Sequence, residues 1–391
     1  MILKTALIFL SLSFAILNAK SQNELRVLKS NSNQVSIQDG DILRKDYWYL
    51  DPSIELDVYE ADKINKTKIV SFFSEIDTLS FTLNPHEAYD FIIVSPENDS
   101  CLTRLRSGLS FKGDIKPELI SDTIPFVLTN DNNIIVEAII NDIDTLNLMF
   151  HTALNSISIT EEAAKKMKSI SLNDSVKGNS WGGTGNSRYS TNNTFEIGSF
   201  AFENRTIWEN KNSGPKSDGK FGPHLFHDKV VELNFDKGLL IIHSTLPKIP
   251  NSFSKTDILF NQHEMYLRML LLIKNDTLKH KALIHTGYAG NLLLDDVFTT
   301  ENKLGKKLEL TESIELKDSY GNSVYTQSAK VEQLSILQQR FDSLQISFFE
   351  GSIGRQHKSA IGSNIIKRFN LFFDLQKAKL YYKPNQLMDD K

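Results

Sequence analysis

The chain has 391 residues, 40% of them hydrophobic and 24% charged, a globular composition that excludes a polytopic membrane protein, a collagen-like chain and a disordered polymer. Its 44 Lys and Arg against 48 Asp and Glu leave a formal charge of -4, so no basic field exists to neutralise phosphates and nucleic acid is not an expected partner. Twenty-four Phe and eleven Tyr favour sheets over helical bundles.

Lys4 precedes an apolar run from Thr5 to Leu17, and small residues follow at Ala19 and Ser21. This pattern reads as a signal peptide over residues 1–21. The run is too short to span a bilayer, which takes ~20 apolar residues. The expectation is an exported protein, periplasmic or extracellular, with no membrane attachment once the leader is removed. Cys101 is the one cysteine, so no intramolecular disulfide is available and stability has to come from buried cores.

Residues 22–118 alternate apolar and polar positions in short runs, among them Ile54–Tyr59, Lys68–Phe73, Leu79–Leu83 and Tyr89–Val94. Period two with β-branched and aromatic residues predicts a small β domain. Two similar copies follow, over 119–250 and 251–391. The first runs through Ile134–Ile140, Leu146–Ala153, a glycine-rich stretch Trp181–Gly185, and a closing run from Val230 to Ile242. The second runs through Tyr266–Ile273, Lys281–Gly287, Asp318–Asn322, and a closing run from Arg368 to Leu380. His151-Thr152 and His285-Thr286 are offset by 134 residues. Such a repeat predicts two lobes related by a pseudo-two-fold.

These elements, from Ile124 to Pro384, resemble the retropepsin-like and pepsin-like aspartic proteases in their two-copy bacterial form. Each copy follows the family's order of apolar strand, Asp-Thr-Gly turn, hairpin flap, apolar-Gly motif and closing strand. The apolar-Gly motifs are Phe221-Gly222 and Ile361-Gly362. The resemblance implies a mainly β fold: the small N-terminal β domain, then a bilobal pair of acid-protease-like lobes. It also implies that the first residue of each turn is the catalytic aspartate. Here those residues are His151 and His285, and Ala153 replaces the first glycine while Gly287 keeps the second. Thr152 and Thr286 stand where the family's threonines cross-link the turns. The resemblance also implies that Trp181, Gly183, Tyr189 and Tyr320 fall in the flap positions that contact bound peptide.

Two carboxylates ~3 Å apart share a proton, so one serves as base and the other as acid. Two imidazoles repel each other when charged and carry no negative charge when neutral. Ala153 adds a Cβ where the family uses glycine for close backbone approach, which predicts strain in the first turn. The expectation is a pseudoprotease that captures an extended peptide or protein partner, and whether it is an enzyme stays open. The alternative is an endopeptidase working through an altered His/His dyad, with or without metal assistance. Two imidazoles are too few for a structural zinc, and no metal or cofactor is expected. His224 and His227 read as an exposed helical face. His86-Glu87 and His263-Glu264 lack the second histidine of a zincin motif and read as surface residues. Asp295-Asp296 predicts a helix start.

Overall fold

The structure is a computed structural model that describes residues 25–50, 52, 57–61, 67–84, 87–107, 121–172, 175–226, 229–261, 264–349 and 358–389. The expected leader, His86, His227 and His263 lie outside the described residues. The chain is mainly β, and among the described residues no helix is long and apolar enough to cross a membrane.

The N-terminal region forms two four-stranded sheets. One orders Arg26–Lys29, Ala88–Val94, Ser100–Ser107 and Asp57–Ala61. The other orders Ile42–Tyr49, Gln34–Asp39, Lys68–Phe73 and Thr78–Leu83. Thr78–Leu83 buries every second residue, as its alternating sequence requires when one face packs on a core. Phe72 centres that core, its ring 4.8 Å from Phe91 and 5.5 Å from Tyr59, and the described residues of the cluster lie between 28 and 105. The strand expected over Ile54–Tyr59 is described as Asp57–Ala61.

The two following copies repeat one topology. In the first, the sheet runs Val127–Leu128, Ile134–Ile140, Asp144–Phe150, Gly219–Phe221, Ile157–Thr160, Phe200–Asn210, Tyr189–Ile197. In the second it runs Leu259–Asn261, Glu264–Ile273, Asp276–His285, Ala360–Gly362, Leu292–Leu294, Gln339–Phe348, Ser323–Ile336, with Leu310–Lys317 added at the edge. Each sheet closes on itself through one further pairing, Ile139↔Glu196 in the first and Leu271↔Leu334 in the second. Closure joins strands across each sheet and leaves the appended strands Val127–Leu128, Leu259–Asn261 and Leu310–Lys317 at an edge.

Each closing run turns out to be a hairpin and not a single strand. Val230–Asn234 pairs with Leu239–His243, and Phe369–Asp374 pairs with Lys379–Pro384. Gly238 (φ 65°) and Ala378 (φ 53°) take the left-handed backbone that the two turns demand. The two hairpins meet along Val230↔Asp374 to Leu233↔Leu371. Together with Ser121–Pro125 and Ser254–Asp257 they make one six-stranded sheet to which both copies contribute. The cores of the two copies are accordingly one continuous apolar cluster, so the turns at 151–153 and 285–287 are held by a shared foundation.

Candidate functional site

His151 follows Asp144–Phe150 and His285 ends Asp276–His285, so both imidazoles stand at the same end of equivalent strands. Parallel pairing aligns Phe150 with Phe221 and Ile284 with Ile361, and the His151 N–H donates to the Phe221 carbonyl at 2.8 Å. The apolar-Gly elements thereby fix the height at which each turn leaves its sheet.

Below the imidazoles the threonines clasp each other. Thr152 N–H donates to Thr286 Oγ1 at 2.9 Å and Thr286 N–H to Thr152 Oγ1 at 3.0 Å. Each hydroxyl donates in turn to the opposite copy, Thr152 to the Ile284 carbonyl and Thr286 to the Phe150 carbonyl, both at 2.7 Å. Both threonines are buried. Four reciprocal bonds between buried groups give the junction a two-fold geometry and tie the copies rigidly together.

The clasp sets the rings of His151 and His285 at a centroid distance of 4.6 Å and an interplanar angle of 59°. Burial, followed by the charges of His285 and Lys220, holds His151 well below the usual histidine range. Burial, with Lys220 adding to it, takes His285 down to about 4. At neutral pH both rings are therefore uncharged. Among the described residues, no other residue hydrogen-bonds to either Nδ1. Among the described residues, no group of three or more His, Cys, Asp or Glu is placed to hold a metal.

The glycine of the second turn has a specific neighbour. A Cβ on Gly287 would lie 2.3 Å from both Cδ2 and Nε2 of His151, so the first imidazole lies against the backbone of the second turn. Ala153 is accommodated without left-handed backbone and packs with the apolar cluster around Leu283 and Phe349.

Around the dyad, alternate residues of each sheet face away from the main core. Across the second copy this row reads Tyr266, Leu283, Ala360, Leu293, a buried apolar cluster joined by Ala153 and Trp181 of the first copy. Across the first copy the equivalent row reads Met149, Lys220, Ser158, Trp208, Tyr189. Lys220 thus occupies the place of Ala360. It is 6% exposed, and its Nζ donates to Ser319 Oγ of the second copy at 2.7 Å. Burial lowers its pKa to about 8, partly offset by Asp318. Sequence reasoning missed this lysine, although laying the copies side by side exposes it: a charged residue stands before Phe221-Gly222 where the twin carries Ala360.

The two hairpin tips lie against each other. Val176–Ser180 and Gly183–Ser187 form the first hairpin, and residues 318–322 connect the two strands of the second. A Cβ on Gly178 would fall 2.0 Å from Tyr320 Oη, and one on Gly185 2.4 Å from Tyr320 Cγ. Gly182 faces Asp318 and Gly183 faces Asn322 in the same manner, and Asn322 Nδ2 donates to the Thr184 carbonyl at 3.2 Å. The Ser319 carbonyl accepts from the Lys211 and Asn212 N–H groups at 2.9 and 3.2 Å. The glycines therefore let the second tip seat on the first. Among the flap residues expected at a ligand, Gly183 and Tyr320 are in this contact. Trp181 packs near Phe349, at 6.4 Å between rings, and Tyr189 lies beside Trp208 at 5.2 Å.

His224 lies in a 3-10 turn, Pro223–Phe226, whose other three residues are buried; this corrects the exposed helical face expected there, because the turn packs into the main core. Asp295 caps helix Asp296–Glu301, accepting from Phe298 N–H at 2.8 Å.

No family model matches the chain, and no curated protein matches it in sequence. Among solved structures, the crystal structure of aspartic proteinase from Irpex lacteus is similar at 12% sequence identity with a TM-score of 0.46, covering 69% of this chain and 99% of that one.

Proposed function

We propose that this chain is an exported, aspartic-protease-like protein that binds an extended peptide or protein segment between its lobes without hydrolysing it. The observation that supports this reading is the uncharged His151/His285 pair held on an intact threonine clasp. Hydrolysis by a proton-sharing dyad needs one carboxylate as base and one carboxylic acid as proton donor, and two neutral imidazoles beside a lysine offer neither. The clasp and the paired hairpins keep the binding architecture. A ligand enters when the tips at Gly185 and Tyr320 part, and it then adds main-chain hydrogen bonds along the hairpin edges, as in β-augmentation.

The test is a diverse peptide library incubated with protein starting at Gln22, from pH 3 to pH 8, beside a His151→Ala/His285→Ala variant. Retention of peptides with no cleavage above the variant is the expected result. Cleavage near neutral pH that disappears in the variant would replace this reading with an imidazole-based peptidase, and chelator sensitivity would then assign a metal.

A further inference from the structure

The row that carries Lys220 differs from its twin in chemistry, not in shape. Ala360, Leu283 and Leu293 make the second copy's surface apolar and buried. The first copy presents an ammonium, and Ser158 stands directly opposite it in the ladder. Ser158 is 1% exposed, and among the described residues its Oγ meets no hydrogen-bond partner. The same is true of Ser213 Oγ nearby in the chain from Gly214, whose Cβ position would lie 3.4 Å from Met149 of this row. Lys220 has three N–H donors, one of them engaged by Ser319.

No carboxylate pairs with that ammonium among the described residues. Asp318 acts on it through space. The Asp318 carboxylate is taken up by its own turn, accepting from Tyr320 N–H at 2.9 Å, Asn322 N–H at 2.8 Å and Asn322 Nδ2 at 2.9 Å. The imidazoles of His151 and His285 are uncharged at neutral pH, and among the described residues no other residue hydrogen-bonds to their Nδ1 atoms. A buried cation and a buried hydroxyl therefore stand side by side on one face of the sheet, close enough to the imidazole pair for the Lys220 charge to act on both rings. Buried charges are otherwise paired or hydrogen-bonded to completion.

We propose that Lys220, with Ser158 beside it, is the specificity determinant of the cleft and receives a carboxylate, the side chain of an Asp or Glu in the bound peptide. The inference rests on the peptide-binding reading above and adds the class of ligand. A peptide carboxylate there displaces Ser319 from the ammonium and couples ligand entry to release of the second hairpin tip. An ammonium–carboxylate contact is a charge-assisted hydrogen bond, roughly twice as strong as a neutral one.

The experiment uses two biotinylated octapeptide libraries that are identical except for a fixed central residue, Glu in one and Gln in the other. Binding to the protein is measured at pH 7. The Glu library should bind at least about tenfold more tightly. Lys220→Met should abolish the difference by weakening the Glu library to the level of the Gln library, and Lys220→Arg, which keeps the charge, should preserve the preference. Equal binding of the two libraries by the unmodified protein would overturn the inference and leave the peptide-binding reading standing. A preference that survives in Lys220→Met would also overturn it. Binding of neither library would refute the peptide-binding reading itself.

Discussion

Acidification from pH 7 to pH 4.5 should destabilise this protein through the two buried imidazoles. In the unfolded chain a histidine takes up its proton near pH 6.5, whereas folded His285 does so at about 4. Between these values the unfolded state binds more protons, so stability falls as pH falls through the window and levels off below about 4. A difference of about 2.5 pKa units acting down to pH 4.5 amounts to about 2 kcal/mol for His285 alone. His151, lowered by the same burial and by its neighbour, adds a loss of the same sign. At about 2–4 °C per kcal/mol for lobes of this size, the apparent Tm should drop by at least about 5 °C. The assay is thermal unfolding at half-unit pH steps, comparing the unmodified protein with a His151→Gln/His285→Gln variant. The comparison is needed because carboxylates such as Asp295, held down to about 2 by the hydrogen bonds of His280, Phe298 and Ser359 against its burial, lose their contribution only below about pH 4. The two Tm profiles should diverge between pH 6.5 and pH 4.5. Parallel profiles there would refute the claim that the imidazoles are buried and neutral.

Three further outcomes follow from named contacts. Thr152→Val removes a hydroxyl that donates to Ile284 and accepts from Thr286; two orphaned buried groups should lower stability by about 2–5 kcal/mol, read from the urea midpoint, while Thr82→Val at an exposed strand position serves as the control. Gly185→Ala places a Cβ against Tyr320 Cγ and Cβ, near the backbone where a rotamer change gives no relief, so the second tip should lift and residues 318–322 should become markedly more sensitive to limited proteolysis; unchanged cleavage would show the tips are not in contact. Lys220→Met should stabilise the protein at pH 7 by about 1–3 kcal/mol, because an ammonium whose pKa burial lowers to about 8 is held at a cost. That gain should shrink between pH 8 and pH 10.5, where the unfolded lysine is still protonated and the folded one is not; a gain independent of pH would remove the argument.

Lys68–Phe73 is a strand with the residue bounds its alternation predicts, and His151 and His285 stand at equivalent turns because the 134-residue offset places them after equivalent apolar strands. Local pattern suffices for these features: a side-chain period of two and the order of apolar runs belong to the chain itself. The hairpin within each closing run was not legible, since the turn residues Asp236-Lys237-Gly238 and Gln376-Lys377-Ala378 are flanked by apolar residues on both sides. Whether those residues continue a strand or reverse it depends on the partner strands available in the shared six-stranded sheet.

The linear order of residues determined that there are two copies, that each lacks an aspartate at its turn, and that threonine follows both histidines. Tertiary structure alone decided the charge state of the site. Lys220 is separated from His151 by 69 residues and from Ser319 by 99, and only the folded sheets bring the three together. Desolvation is a property of an enclosure and not of a residue type. The same enclosure makes His285 neutral at neutral pH and, among the described residues, leaves the Lys220 ammonium with no carboxylate in direct contact, Asp318 acting on it through space.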